Sequence, residues 1–552
     1  MKMRQPKSCY SIKDSIMNLL VKYVPVIIKS FDKHTGRFLI GNRWGITNQD
    51  LIYPLALLYK TKSPKNPFFR DPHLFEAALL GGDCIRRLQY DDGRVEFIKP
   101  DGSRWGAIYM PWTMYHWLET YILLKEDLDD ERMFEWLRGL NLALNGMKRE
   151  VEKSPVHNIT VWKAMTLFRA GLAFKRRDFL IPGQKMIYKA LKVQDKCGFW
   201  PEYGGPSPHY NLIYIHSLGL YYEFSGDRTV LPYLYRALRF QIYFTYPDGT
   251  TVETIDGRTK YNPSISVLGL AAFTLFPEGR RFVHFLLSRM EKKQRYYNCF
   301  NPALATAYVH SHDGVMHGIP QDKRFYYKRL LNDKALVSRY SSWFYCLSGI
   351  TTKPTGNRWG MDRQNYISIW NEKSGLIVGG GNSKNQPELS SFIIQNKRKL
   401  LYIADDSTIN VFNGYGGVLD LYYNGIHCSI KVLPLNEKEL VLEYSLSKFP
   451  TTSSFKALFN LILKVTPGEV LKIHPNLHEK LTEESIDLKG VSGWIMHRNW
   501  KIKFDKKLSL KWPVKPFNPY NKNGEAPLSM AVCTLSGDLR KDDNVRIHII
   551  IN

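Results

Sequence analysis

Between Cys197 and Pro263 the chain reads CGFWPEYGGPSPHYNLIYIHSLGLYYEFSGDRTVLPYLYRALRFQIYFTYPDGTTVETIDGRTKYNP. A Gly/Pro-rich loop here carries Trp200, Glu202, Tyr203, His209 and Tyr210, and a second polar loop ends in Asp256, Arg258 and Tyr261. Loops this rich in aromatic and ionisable groups, set between regular helices, are where binding or chemistry usually sits. A tyrosine can take or give a proton with histidine help. Its unperturbed pKa of about 10 means that it needs cationic neighbours to ionise near neutrality. The basic composition of the chain supplies such neighbours, and arginine pairs with carboxylates bidentately. Trp200 offers a flat face for a sugar ring or fills the core. Glu202 keeps a different chemistry open, since glycosidases use two carboxylates. Its partner would be Asp248, Glu253 or Asp256, and no spacing selects one.

Upstream, PVHNITVWKA at 155–164 sets His157 and Asn158 at a predicted helix start, where Asn is also a good cap. The tripeptide Arg-Trp-Gly occurs at Arg43-Trp44-Gly45, Arg104-Trp105-Gly106 and Arg358-Trp359-Gly360, each time after a turn. Each reads either as a sugar and carboxylate contact or as a hairpin exit with a packed Trp. The cluster His310, His312, Asp313, His317 has spacing compatible with metal ligation. It reads more simply as a polar loop closing the helical half, and no metal ligand set is assigned. His427-Cys428 is a weaker metal signal still.

These residues need a scaffold, and the periodicity supplies one. Up to about residue 310, apolar residues recur at three- and four-residue spacing, with breaks at Gly, Pro or Asp clusters. The pattern predicts helices near 12–30, 47–60, 72–90, 110–125, 129–151, 157–174, 179–196, 208–224, 228–245, 263–275, 279–294 and 301–310. Thr47 or Asn48, Asp71-Pro72 and Asp227 are the expected starts of the second, third and ninth. Twelve antiparallel helices with short connections suit six hairpins closed into an α/α toroid. A solenoid is the alternative, but no repeat length is fixed. Beyond about residue 335 the segments become short, β-rich and often alternating, as in GVLDLYYNGIHCSIKVLP. They predict an antiparallel sandwich. The expected domains are 1–325, a toroid carrying the site, and 326–552, an antiparallel β-domain with a leading linker; the segment Ser311–Thr355 is the expected linker region, with one or two further helices.

A chain of 552 residues is too long for one simple core. Its formal charge of +26 favours an anionic partner: nucleic acid, acidic lipid or acidic polysaccharide. No zinc-finger, Walker or RNA-recognition signature accompanies the charge, so no nucleic-acid partner is assigned. Seven scattered cysteines without CxxC spacing predict free thiols. The N-terminal segment lacks a signal-peptide shape and no run of 18 apolar residues occurs, so a cytoplasmic location without a membrane span is the default expectation, with non-standard export as the alternative.

The loop GFWPEYGGPSPHY, the element PVHNITVWKA and the spacing of 52 residues from Asn158 to Tyr210 resemble the heparinase II/III-like and alginate-lyase-like polysaccharide lyases. The β-domain opening RQNYISIWNEKSGLIVGGGNSKNQPELSSF is similar to the same group. The resemblance implies an α/α toroid followed by an antiparallel β-domain, and cleavage of an acidic, uronate-containing polysaccharide or oligosaccharide by β-elimination. It implies Tyr210 as base and acid, with Tyr203 as the alternative base and His209 as helper. Asn158, His157 and Arg258 would offset the substrate carboxylate. Trp200, Glu202, Tyr261, Arg104, Trp105, Arg43 and Trp44 are the substrate-binding candidates. The resemblance implies no required cofactor and, in some relatives, a structural divalent metal in the β-domain whose ligands the sequence does not single out. The lyases usually show Asn followed by His, whereas here His157 precedes Asn158 and Ile159 follows. That departure keeps a non-catalytic binder of anionic glycan as a reading beside the hydrolase. No oligomeric state is implied.

Overall fold

The computed structural model describes residues 11–40, 45–99, 102–292, 301–396, 399–448, 455–540 and 543–552. Contacts divide the chain into two compact units. One comprises Met1–Gln194, Asn211–Leu238 and Ser264–Gly318; the other comprises Asp195–Tyr210, Arg239–Pro263 and Ile319–Asn552.

The described residues contain twelve α-helices. They are α1 Ile12–Lys29, α2 Ile52–Lys60, α3 Pro72–Leu88, α4 Pro111–Leu124, α5 Asp130–Lys153, α6 Asn158–Ala173, α7 Arg177–Lys192, α8 Pro208–Ser225, α9 Leu231–Tyr243, α10 Leu270–Phe273, α11 Pro277–Lys292 and α12 Asn301–His310. Two kinds of helix alternate in the first unit. In α2, every residue from Ile52 to Leu58 is buried, and α4 and α6 are nearly as enclosed. Helices apolar all round belong inside. By contrast α3, α5 and α7 bury one stripe each and turn charged residues outward. Accordingly α2 packs on α4, α4 on α6, and α12 on α2, while α3 packs on α5 and α5 on α7. Ring contacts Trp162–His216 and Phe168–Tyr221 set α8 against α6. The first helix meets α11 and α12, so the series closes on itself as a toroid of hairpins.

Several predicted starts are present. Asp71 accepts the His73 and Leu74 amides, and Asp227 caps a 3-10 turn that leads into α9. Neither Thr47 nor Asn48 opens α2, which begins at Ile52 after a 3-10 segment. Asn48 instead donates to the Phe38 carbonyl. The expected helix over 263–275 forms only at Leu270–Phe273, because Gly269 takes a left-handed φ of 79° and stops its extension backwards. Two short antiparallel pairs, Phe31–Asp32 with Arg37–Phe38 and Val95–Ile98 with Arg104–Ile108, also interrupt the helices.

The second unit carries one extended set of strands, and every pairing is antiparallel. Its strand Ile426–Pro434 alternates buried and half-buried residues along its whole length, as two-residue periodicity requires. The expected linker helices are absent. Strands Phe325–Leu330, Ala335–Tyr340 and Trp343–Ser348 occupy that stretch, with only a 3-10 turn before them. Aromatic residues, Phe325 to Tyr327 and Trp343 to Tyr345, favour strand there. Phe199, Phe244, Tyr246, Val252 and Ile255 are buried with Val337, Phe344 and Trp370 in one cluster. That packing draws two loop segments from the helical half of the sequence into this unit. Among the described residues, no helix is long and apolar enough to cross a membrane.

Candidate functional site

The loops 198–210 and 254–262 meet within the second unit. A two-residue turn closes the first loop: Glu202 N–H donates to the Gly205 carbonyl over 2.8 Å, and Gly205 returns the bond over 3.3 Å. Tyr203 and Gly204 fill the turn with φ of 49° and 82°. Left-handed backbone costs a non-glycine residue about 1 kcal/mol, so Tyr203 is held there by its surroundings.

Asp256 ties the two loops together. Its carboxylate accepts from Ser207 Oγ (2.9 Å), the His209 amide (3.4 Å), the Arg258 and Thr259 amides (2.7 and 2.8 Å) and Thr259 Oγ1 (2.8 Å). Ser207 in turn accepts the Tyr210 amide at the start of α8 (3.4 Å). Arg363 reinforces the junction by donating to the Ile255 and Pro206 carbonyls. A Cβ on either Gly205 or Gly257 would lie 2.4 Å from its Nη2, so both glycines exist to admit the guanidinium. Burial lowers the Arg363 pKa to about 10, against the opposing pull of Asp256.

On this frame Arg258, only 6% exposed, lies among aromatic rings. Its guanidinium carbon is 4.5 Å from the Tyr210 ring centroid, 4.8 Å from Trp359 and 5.3 Å from Tyr203. Nη2 donates to the Tyr210 hydroxyl over 3.1 Å, and Nε stands 3.9 Å from a Glu202 oxygen. Nη1 and Nε are buried without a hydrogen-bond partner among the described residues. The Tyr210 hydroxyl also hydrogen-bonds that of Tyr520. Burial, and then the neighbouring Tyr210, push the Tyr520 phenol well above its ordinary pKa and keep it protonated. Trp359 packs on Tyr520 with ring centroids 5.4 Å apart. Arg358 holds the Tyr520 turn by donating to the Pro519 and Asn521 carbonyls. The His209 ring meets Tyr210 edge-on at 6.0 Å, and burial lowers its pKa despite Asp256, so it is neutral at pH 7. Burial likewise raises Tyr203, against the pull of Arg258.

The second unit thus gathers Tyr203, His209, Tyr210, Arg258 and Glu202 from the expected set. Tyr520 and Arg363 join them without having been candidates, and Asp256 enters as the tie between the loops rather than as a carboxylate partner for Glu202. The Arg-Trp-Gly recurrence was the one sequence signal that touched Trp359. Trp200, at 1% exposure, is a core residue with no face for a sugar. Tyr261, half-buried, packs on Tyr246 at the edge of the cluster that holds Phe344 and Trp370, and burial raises its pKa.

In the first unit, Asn158 is the first residue of α6 and fully buried, with Nδ2 3.4 Å from His157 Nε2. His157 holds the N-cap position without a capping side-chain bond. Arg104 is exposed on its hairpin. Trp105 there is covered by the Lys99 ammonium, 3.3 Å from a ring centroid. Arg43 and Trp44 lie outside the described residues.

The carboxylates named as partners for Glu202 are otherwise engaged. Asp256 carries the five bonds above, and Asp248 caps its own turn through Thr250. Glu253 is buried, bonded by Tyr246 Oη (2.9 Å) and the Gly380 amide (3.0 Å), and burial raises its pKa to about 7. The histidine cluster diverges: His312 bonds Glu223, Asp313 caps α1, and the His310 ring meets Phe224. His427 bonds Asp420. Among the described residues, no three metal-ligating side chains come together.

No protein-family description matches the chain, and no curated protein matches it by sequence. Solved structures do match. A xanthan lyase from Paenibacillus aligns with a TM-score of 0.55 at 12% identity, over 98% of this chain and 58% of that one. The chondroitin AC lyase of Streptomyces coelicolor A3, in complex with chondroitin sulphate, aligns at 0.53 and 10% identity, over 100% of this chain and 80% of that one. A heparinase III aligns at 0.52 and 13% identity, over 92% and 76%. This chain therefore spans little more than half the length of the xanthan lyase. It has the fold of the polysaccharide lyases in which a helical toroid is joined to an antiparallel β-domain.

Proposed function

We propose that this protein is a lyase that cleaves an acidic, uronate-containing polysaccharide or oligosaccharide by β-elimination. The observation that carries the reading is the buried Arg258 guanidinium, which engages the Tyr210 hydroxyl through Nη2 while Nη1 and Nε have no hydrogen-bond partner among the described residues. A buried donor without a partner costs about 1–3 kcal/mol. A substrate carboxylate oxygen at either donor would accept a charge-assisted hydrogen bond from it.

The chemistry follows from what such a carboxylate needs. Removing the C5 proton of a uronate places negative charge beside an anion, so a cation on the carboxylate stabilises the enolate-like transition state. Tyr210 takes the C5 proton. The electrons of the C5–H bond form the C4–C5 double bond, and the C4–O bond breaks. The proton held by Tyr210 passes to the departing O4. Arg258 and the protonated Tyr520 favour charge on the Tyr210 oxygen during this exchange. The neutral His209 borders the same ring. The fold shared with xanthan and chondroitin AC lyases is consistent with this class of reaction.

The hydrolase reading has less support, because the carboxylates considered as partners for Glu202 are engaged in hydrogen bonds of their own. The test is incubation with a panel of uronate polymers, including chondroitin sulphate and xanthan. Elimination yields a 4,5-unsaturated uronate that absorbs in the ultraviolet. New reducing ends without that absorbance would establish hydrolysis instead. Binding of the polymers without either product would establish a non-catalytic binder.

A further inference from the structure

Away from these loops, the second unit has a sheet face of unusual composition. Strands Val470–Ile473, Ile486–His497, Trp500–Val514 and Asn544–Ile551 lie side by side, and Leu477–Lys480 flanks the first. Directly paired residues share a face. One register row reads His478, Lys472, Met496, Lys501, Ile550. The next row on the same face reads Trp494, Lys503, His548. The row between them, Ile473, Ile495, Ile502 and Ile549, is buried, so the lysine rows point to solvent.

Lys472 and Lys503 are exposed, and neither pairs with a carboxylate among the described residues. Glu439, beside this face, is occupied by His548 at 2.7 Å. Asp505, two residues beyond Lys503, is the next carboxylate along the strand. Lys501 is held over the Trp494 ring, 4.7 Å from its centroid, and the His474 ring meets the same indole at 5.9 Å. The lysines are therefore fixed in register. Lys472 and Lys501 stand two strand spacings apart, about 10 Å, and Lys501 and Lys503 about 7 Å apart along one strand.

We infer that this face is a second, non-catalytic binding surface for an acidic polysaccharide chain. Resting on the proposed substrate class, the inference adds a place where the polymer is held independently of Tyr210. Charge alone would also suit a nucleic acid, but single-strand binders add aromatic rings on which bases stack. The ring here is committed to Lys501 and His474. What remains is a row of cations at fixed spacing, which suits carboxylates or sulfates repeated along a sugar chain.

The test is retention of the full chain on immobilised heparin, a sulfated uronate polymer. The patch variant Lys472→Gln/Lys501→Gln/Lys503→Gln is compared with Lys185→Gln/Lys189→Gln/Lys192→Gln, which removes equal charge from exposed positions of α7. The patch variant is expected to bind about tenfold more weakly at physiological salt, with the α7 variant close to wild type. Tyr210→Phe should be retained like wild type, and equal melting temperatures show that the variants fold alike. Equal losses in the two triple variants would overturn the inference in favour of generic charge. Loss of retention in Tyr210→Phe would overturn it in favour of the cleft loops alone. Tighter binding of a 30-nucleotide single strand than of heparin, abolished in the patch variant, would reassign the face to nucleic acid. If no polymer is cleaved yet the patch variant alone loses retention, the lyase reading fails while this surface stands.

Discussion

The Arg258 guanidinium spends one N–H on the Tyr210 hydroxyl, 3.1 Å away, and among the described residues Nη1 and Nε are buried without a hydrogen-bond partner beside it. An arginine so placed is half-satisfied by the protein alone. It joins the group that would move the proton to the group that would neutralise the substrate. Changing either residue should therefore damage a different stage of the same reaction.

Tyr210→Phe keeps the ring against Arg258 but removes the oxygen. Turnover of a uronate polymer should fall by about a hundred- to ten-thousand-fold, with little change in substrate affinity. Initial rates of ultraviolet absorbance at saturating polymer measure this. Full activity in Tyr210→Phe together with an inactive Tyr203→Phe would move the base to Tyr203.

Arg258→Lys keeps a cation near Glu202 but loses the planar fork. KM for the polymer should rise and kcat should fall. An unchanged KM would mean that the two spare donors do not meet the substrate.

Tyr520→Phe removes a hydroxyl that bonds Tyr210 without removing the ring that packs on Trp359. One hydrogen bond is worth about 1 kcal/mol, so kcat should drop roughly five- to tenfold. KM should stay close to wild type. A kcat equal to wild type across the pH profile would reduce Tyr520 to packing.

The helices were legible because each carries its own periodicity and several carry their own caps, as at Asp71 and Asp227. The stretch before Gly269 misled because its apolar residues mimic a helical face, while the backbone at Tyr261 is engaged by the Gly380 carbonyl. Of the site, the loop residues from Tyr203 to Arg258 could be singled out because chemically distinctive types crowd a short sequence. Tyr520 could not. It lies 310 residues from Tyr210, in a turn whose Asn-Pro-Tyr-Asn sequence announces only a turn. Arg363 was invisible for a related reason, since its role exists only where two glycines from separate loops leave room for it. Trp200 shows the converse: its aromatic type left a sugar contact and a core position equally open, and it stands buried at 1% exposure.

Gly257→Ala tests the frame beneath the site. The added Cβ would stand 2.4 Å from Arg363 Nη2, and the guanidinium is pinned by two carbonyls. Overpacking of this kind typically costs about 1–3 kcal/mol. Urea unfolding should show a lower midpoint, and activity should fall as the Asp256 loop shifts. An alanine variant as stable as wild type would mean that Arg363 has room to move.

Acid should destabilise the first unit through its histidines. Burial lowers His116 to about 3, with His216 adding to the effect, and lowers His216 to about 3 and His310 to about 4. The folded state therefore binds fewer protons than an unfolded chain, in which histidine titrates near 6.5. Stability is complete above that value and falls as pH drops toward 4. The loss is about 2 kcal/mol for each histidine by pH 5, as an order of magnitude. Glu253 opposes this in the second unit. Burial raises its pKa to about 7, so its contribution improves as pH falls from 7 toward 4.5. One group acts against three, and the net direction is toward lower stability in acid. Melting temperatures between pH 7.5 and pH 5 should fall steadily in wild type. His216→Phe, which keeps an aromatic ring against Trp162 and cannot be protonated, should flatten the fall. A melting temperature constant over that range, or an equal fall in the variant, would show that the buried histidines do not control it.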